Sequence, residues 1–145
     1  MRWLHLARVF YVSMFRDFTR KYVSMIILYR TNTMHIPEND PLSLLPHGEG
    51  FRFIDELISL DPGKSAAAIY RVKGDEFFFH GHFPGNPIVP GVILIEALAQ
   101  LGGVLAQSDP QIAVLENLKL TAVKQAKILG SAKPGAELLI RARLL

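Results

Sequence analysis

Cysteine is absent from this chain of 145 residues. Its absence excludes a disulfide framework, a thiolate metal site and a thiol nucleophile. Histidine is also scarce, and the five histidines do not show a zinc-type spacing with carboxylates (His5, His35, His47, His80 and His82). The sequence therefore predicts no metal site.

The N-terminal segment lacks a long hydrophobic run. Its longest apolar stretch, Val23 to Tyr29, is interrupted by Ser24 and is too short to span a bilayer. It also lacks a hydrophobic core followed by a small-residue cleavage site, which a secretory signal needs. We therefore expect a cytoplasmic protein with no integral membrane segment.

Acidic residues are few in the same segment. Residues 1–33 hold six basic side chains against Asp17 alone, whereas the rest of the chain holds ten basic and twelve acidic ones. The basic character thus belongs to the segment and not to the domain that follows. Because the domain shows no basic patch with interleaved aromatic residues, no nucleic-acid partner is predicted.

The most informative stretch is the loop from Phe79 to Gly91. Its prolines fix φ angles, and its glycines permit tight turns or the close approach of a ligand. Such a loop holds its side chains in fixed directions, and histidine is the commonest general base near neutral pH. His80 and His82 are two residues apart and would point the same way in an extended segment, so spacing alone does not choose between them. Either histidine could instead be satisfied by a backbone carbonyl.

An apolar helix follows the loop. From Val92 to Gln107 nearly every residue is Val, Ile, Leu, Ala or Gly, which predicts a helix buried on all sides. Glu96 and Gln100 are one turn apart on one face. A buried carboxyl tends to be protonated, and it can then act as a general acid. The alternative is that Glu96 points out at a surface or a dimer edge.

The run Gly81-His82-Phe83-Pro84-Gly85-Asn86-Pro87, with Pro90-Gly91-Val92 and Glu96-Ala97-Leu98-Ala99-Gln100, resembles the signature of bacterial 3-hydroxyacyl-ACP dehydratases of the FabZ type. The likeness extends upstream to Leu44-Leu45-Pro46-His47 and downstream to Pro134-Gly135. It covers about two thirds of the chain, from about Leu42 onward. The sister dehydratase–isomerase group is similar but carries an aspartate where Glu96 stands.

The resemblance implies a hot-dog fold and the dehydration of 3-hydroxyacyl-ACP to trans-2-enoyl-ACP in fatty acid biosynthesis. It implies that His82 and Glu96 form the catalytic pair, with His82 selected over His80. It further implies that Gly91, Val92, Gln100 and Phe83 contact the substrate, the amides near Gly91 and Val92 polarising the thioester carbonyl and Gln100 orienting Glu96. No cofactor is implied. The implied partners are acyl carrier protein and a second copy of the chain, in a homodimer or a trimer of dimers.

The coarse pattern of elements predicts an α+β fold, an antiparallel sheet wrapped around one long buried helix. We expect a short helix at 39–45, a hairpin of strands Phe51–Leu60 and Ser65–Val72 about the turn Asp61–Lys64, and strands over 112–128 and 137–145. The three phenylalanines Phe77–Phe79 are expected to pack in the core or against a partner subunit.

Two departures from the family pattern stand out. The chain ends where family members continue with about two more strands, which predicts an incomplete domain with an unpaired edge along Glu137–Arg143. Gly48-Glu49-Gly50 replaces an Arg-Tyr-Pro-like sequence of the family, so the resemblance does not predict the conformation of this segment, which is expected near the acyl-chain tunnel of the family.

The ends of the chain suggest a division into residues 1–33, a basic extension, and residues 34–145, the hot-dog domain. Three interpretations of the extension compete: an amphipathic helix on a membrane surface, a transit-like peptide, and an upstream extension of the reading frame with Met34 as the natural start. We favour the last, because the family-like sequence begins soon after Met34.

Two alternatives to a dehydratase stay open at this point. A hot-dog acyl thioesterase would use the same helix and an acid to activate water. A non-catalytic, truncated domain would bind acyl chains or partners without turnover.

Overall fold

The computed structural model of the chain describes residues 8–15, 23–31, 40–111 and 115–144. Six strands and one long helix occur in these ranges: β1 (Arg8–Phe15), β2 (Val23–Thr31), β3 (Glu56–Asp61), β4 (Ser65–Arg71), α1 (Gly91–Gln107), β5 (Leu115–Gln125) and β6 (Glu137–Leu144). Three 3₁₀ turns precede the helix, at Pro41–Leu44, Glu49–Phe51 and Phe77–His80. His5, His35 and Met34 lie outside the described residues.

The strands form one antiparallel sheet in the order β3-β4-β6-β1-β2-β5. The hairpin β3–β4 turns at Asp61–Lys64, where the amide of Lys64 bonds the carbonyl of Asp61 at 2.9 Å. Helix α1 packs chiefly on β6, β4 and β1, in the middle of the sheet. The predicted α+β fold, with one helix against an antiparallel sheet, is confirmed.

The core lies between α1 and the sheet. Strand β6 alternates, with Leu138, Ile140 and Ala142 buried against the helix. Strand β4 buries Ala66, Ala68 and Tyr70 at alternate positions. At the other side of the helix, a Cβ on Gly103 would lie 3.0 Å from Leu118 of β5, so glycine is what allows that approach.

The expected unpaired edge along Glu137–Arg143 is wrong. Strand β6 pairs on one side with β4 and on the other with β1, with Ile140 opposite Ala68 and Met14 respectively. Strand β2 continues the sheet from β1 to β5. The N-terminal residues therefore supply two strands to the inside of the sheet, which also contradicts a helix over 8–15 or 23–31.

Two further predictions need correction. The strand expected over Phe51–Leu60 begins only at Glu56, because Glu49–Phe51 forms a 3₁₀ turn. The helix is not buried on all sides: Val92, in its first turn, is 71% exposed.

Of the three phenylalanines, Phe78 is buried, Phe79 packs against the core and Phe77 is exposed. Among the residues that the structure describes, a helix suited to span a bilayer is not found.

Candidate active site

A cleft of about 310 Å³ opens beside α1, between the 40–51 segment and β5. Its wall is partly apolar, and the side chains of His47, Glu96 and Gln100 come together on it. The rest of the lining consists of Leu45, Pro46, Phe51, Ala99, Gly103, Gln107, Leu118, Lys119 and Leu120. A pocket in which a few polar groups converge on an apolar wall is typical of a small-molecule site.

Glu96 lies in the second turn of α1, with 22% of its side chain exposed. Its Oε1 accepts a hydrogen bond of 3.0 Å from Nε2 of Gln100, one turn along the helix. The expected contact between these two side chains is therefore present. Glu96 faces the cleft and is not a freely solvated surface carboxylate.

Gln100 is buried and its amide orientation is fixed by the backbone around it. Its Oε1 accepts from the amide of Phe53 at 2.9 Å, and its Nε2 also donates to the carbonyl of Phe51 at 2.8 Å. Because the amide of Phe53 can only donate, the carbonyl side of Gln100 must face it, and the NH₂ group must face Glu96. Gln100 thus ties the 51–53 segment to the helix and presents a donor to the carboxyl group.

His47 is a site residue that the sequence reasoning did not assign. Its Nε2 lies 3.3 Å from Oε1 of Glu96, and 30% of its side chain is exposed. The signal for it was present, since His47 belongs to the Leu-Leu-Pro-His motif that carries part of the family resemblance. No spacing rule connects a residue of that motif to a carboxyl group on a distant helix.

The segment Gly48-Glu49-Gly50 has a defined conformation. The amide of Phe51 bonds the carbonyl of Gly48 at 2.9 Å, which closes the 3₁₀ turn. Arg52 then reaches back, and its Nε donates to the carbonyl of His47 at 2.8 Å. The arginine side chain thereby fixes the backbone of His47 at the mouth of the cleft.

His82 lies in the Pro/Gly loop and is half-buried. Its Nδ1 is 2.9 Å from the carbonyl oxygen of Ile88. A carbonyl oxygen only accepts, so Nδ1 carries the hydrogen, and Nε2 of the neutral ring is left with a lone pair. The next residue, Phe83, has φ of 55°, a left-handed conformation that is rare for a bulky residue. Strain of this kind is concentrated at functional sites.

His80 is placed differently from His82. The two histidines do not follow an extended segment, because His80 ends the 3₁₀ turn Phe77–His80 and the chain then bends at Gly81. His80 is exposed, whereas His82 is anchored to Ile88. The structure therefore separates two residues that sequence spacing left equivalent.

The start of α1 offers backbone amides near the His82 loop. The amides of Ile93 and Leu94 both bond the carbonyl of Pro90, at 3.0 and 3.2 Å. The preceding amides, those of Gly91 and Val92, belong to the set that a helix leaves without an intrahelical acceptor. A Cβ at Gly91 would meet Cδ1 of Ile128, the far end of a flexible and exposed side chain that packs beside this backbone.

The predicted site residues do not all meet within one chain. Glu96 and Gln100 line the cleft, whereas His82 and Phe83 lie on the loop outside its lining. Phe83 and Val92 are exposed, at 57% and 71%. In the described part of the chain, no group of three or more His, Asp or Glu side chains could hold a metal ion.

Glu76 anchors the turn that leads into the His82 loop. It accepts hydrogen bonds from the amides of Lys73 and Gly74, at 2.8 and 2.7 Å, and from the hydroxyl of Tyr70, at 3.0 Å. Burial acts to raise the pKa of Glu76, but the backbone N–H donors, together with Tyr70, outweigh it and hold the pKa below its usual value. Burial and the neighbouring Glu76 carboxylate raise the pKa of Tyr70.

Comparison with known proteins places this site in a family. Residues 45–144 match the FabA-like domain. The chain is 37% identical over 116 residues to the 3-hydroxyacyl-(acyl-carrier-protein) dehydratase FabZ of Sodalis glossinidius (strain morsitans), covering 79% of this chain and 76% of that protein. It is 40% identical over 108 residues to the FabZ of Wolbachia sp. subsp. Drosophila simulans (strain wRi), covering 73% of each.

A third relative agrees with these two. The FabZ dehydratase of Desulfotalea psychrophila (strain LSv54 / DSM 12343) is 39% identical over 105 residues, which cover 72% of this chain and 70% of that protein. The matched region contains the cleft, the His82 loop and helix α1. The chain therefore belongs to the FabA-like family, and the relatives it resembles within that family are FabZ dehydratases.

Proposed function

We propose that this protein dehydrates 3-hydroxyacyl groups, carried as thioesters on acyl carrier protein, to trans-2-enoyl groups in fatty acid biosynthesis. The observation that carries the proposal is the likeness to FabZ dehydratases across the region that holds both His82 and Glu96. The geometry supports the proposal. Nδ1 of His82 and Oε1 of Glu96 are each held by a hydrogen bond within the protein, so Nε2 of His82 and Oε2 of Glu96 remain available to exchange protons with the substrate.

His82 would act as the general base. Its Nδ1–H is held by the carbonyl of Ile88, so the lone pair of Nε2 is available to take a proton from the carbon next to the thioester carbonyl. The amides of Gly91 and Val92, at the helix N-terminus, would stabilise the negative charge that develops on the carbonyl oxygen.

Glu96 would act as the general acid. It gives its proton to the departing 3-hydroxyl group, the carbon–oxygen bond breaks, and water leaves. The electron pair of the broken carbon–hydrogen bond becomes the new double bond. After one turnover His82 is protonated and Glu96 is a carboxylate, and a proton passed from the first to the second restores the starting state.

A second copy of the chain would complete the site. His82 lies outside the lining of the cleft that holds Glu96, and the apolar side chains of Phe83 and Val92 are exposed. We therefore place His82 of one copy against the cleft of another, in a homodimer or a trimer of dimers. A monomer would be inactive.

The test is the reverse reaction with the purified protein of residues 1–145. A trans-2-enoyl thioester on acyl carrier protein should lose its conjugated-enoyl absorbance as water adds, with no free thiol released. Thiol release without loss of the enoyl signal would instead identify a thioesterase. A folded dimer with neither activity would contradict the proposal and favour an acyl-binding domain.

A further inference from the structure

The two oxygens of the Glu96 carboxyl group are not equivalent. Nε2 of Gln100 and Nε2 of His47 both approach Oε1, at 3.0 and 3.3 Å. In the part of the chain that the structure describes, both nitrogens contact Oε1, and neither is found in contact with Oε2. The hydrogen bond from Gln100 makes Oε1 an acceptor, and His47 approaches the same oxygen, so a proton on this carboxyl group belongs on the other oxygen.

The surroundings of His47 indicate which of its nitrogens carries hydrogen. Nδ1 is buried and has no hydrogen-bond partner among the described residues. A buried N–H without an acceptor is rarer and more costly than an unused lone pair. The neutral ring therefore places its hydrogen on Nε2, the nitrogen beside Glu96, and leaves a lone pair at Nδ1.

The backbone and the ring of His47 also have contacts that hold them in place. Arg52 donates to its backbone carbonyl at 2.8 Å, and the His47 and Phe51 rings lie 6.1 Å apart between centroids. The same Phe51 accepts from Gln100 through its carbonyl. The two nitrogens that converge on Oε1 are thus connected through one short segment, residues 47–53.

We infer that His47 is a positioning residue for the dehydration, acting through Glu96, an inference that rests on the proposed function. The 3.3 Å approach of Nε2 to Oε1 would become a hydrogen bond, donated by His47, when substrate fills the cleft, because catalytic hydrogen bonds often tighten only in the substrate complex. Together with Gln100 it keeps Oε1 as the acceptor and the reactive proton on Oε2. As Oε2 gives that proton to the departing hydroxyl, the two donors stabilise the carboxylate that forms, because hydrogen bonds to a charged acceptor are stronger.

Substitutions of His47 separate a donor role from a packing role. Glutamine can place an N–H near the position of Nε2, asparagine reaches only the position of Nδ1, and phenylalanine keeps the ring without a donor. We expect His47→Phe and His47→Asn to lower kcat by about 10-fold or more, as for the loss of a hydrogen bond to a charged group, with little change in KM. His47→Gln should recover most of the rate. Thermal melts and size exclusion establish that each variant is folded and dimeric.

Two additional readouts make the result decisive. In a Glu96→Gln background, His47→Phe should cause no further loss, because the residue it positions is gone. Nitrogen NMR of the wild-type ring should show hydrogen on Nε2 and not on Nδ1, a readout that needs no turnover.

Full activity in folded His47→Phe, equal rates in His47→Gln and His47→Asn, or an Nδ1–H ring would each overturn the inference. Wild-type protein without dehydratase activity would overturn the proposed function instead, and the NMR result would still decide whether His47 donates to Glu96.

Discussion

His82 and His80 differ in what their rings contact, and that difference decides which can act as a base. The ring of His82 is oriented by the carbonyl of Ile88, whereas His80 is exposed at the end of a 3₁₀ turn. A base must be held in one direction to meet a proton at hydrogen-bonding distance.

We predict that His82→Ala lowers turnover by about 10²–10⁴-fold, the usual contribution of a positioned general base. His80→Ala should retain most of the wild-type rate and is the matched control. Steady-state kinetics on an enoyl thioester measure both. Equal losses in the two variants, with folding intact, would contradict His82 as the sole base.

For Glu96→Gln we predict a fall in turnover of at least about 10²-fold with almost no change in melting temperature. Glutamine has nearly the same shape and keeps an acceptor toward Gln100, but it has no proton of suitable acidity to give to a leaving hydroxyl. Kinetics and thermal melts on the same preparation make the comparison. A variant with near-normal activity would show that Glu96 is structural.

Some residues of the site could be predicted from the sequence and others could not. His82, Glu96 and Gln100 belong to one continuous motif, so a single resemblance brought them out together. The contact of His47 with Glu96 joins two elements far apart in the chain, and no local periodicity reports it. The strained φ of Phe83 is likewise set by the loop around it and not by the side chain itself.

Among the elements, the turn before the His82 loop depends on one carboxylate. Glu76 satisfies the amides of Lys73 and Gly74 and the hydroxyl of Tyr70. Because its pKa is lowered in the folded protein, the folded state binds this proton less tightly than the unfolded state does. The carboxylate therefore adds stability above the unfolded pKa, and that stability is lost as pH falls through the folded pKa.

We predict that Glu76→Gln lowers the free energy of unfolding at neutral pH and weakens its dependence on pH in the acid range, below the ordinary value of 4.5. Denaturant titrations across that range, for wild type and variant, measure both effects. Glu49→Gln, at an exposed position, is the control. Parallel stability curves for wild type and Glu76→Gln would rule out this role.

The elements that sequence predicted well are those with strong local signals. The apolar run ending at Gln107 gave the helix, and Asp61–Lys64 gave the β3–β4 turn. The residue pattern predicts a strand from Phe51 to Leu60, whereas Gln100 holds residues 51–53 against the helix by hydrogen bonds to their backbone. That tertiary contact overrides a weak local preference.

For the whole molecule, the main difference from expectation is the origin of the inner strands. Composition separated residues 1–33 from the domain, and the resemblance placed missing strands after Leu145. The structure instead puts β1 and β2 between β6 and β5. A basic composition describes side chains, whereas the pairing of a strand depends on its backbone, which explains why composition did not predict it.

We predict that a chain beginning at Met34 melts at least about 10 °C lower than the full chain and forms aggregates, since both β6 and β5 would lose a neighbour. Thermal melts and size exclusion test this, with a deletion of residues 1–7 as control because it leaves β1 and β2 intact. The separation at residue 33 remains the competing hypothesis, and it predicts an unchanged melting temperature and an intact dimer.

The pairing of β1 with β6 bears on how the protein is made. On the ribosome, β1 and β2 emerge before every other described strand. Strand β6, which pairs with β1, is the last described strand to be synthesised. The edge of β1 that pairs with β6 and the edge of β2 that pairs with β5 therefore stay unpaired until those later strands have been translated. Contacts between such distant parts of a chain slow folding, and exposed edges invite association with other chains. Yield in cells should accordingly depend on chaperone supply more than for a domain whose neighbouring strands follow one another in sequence.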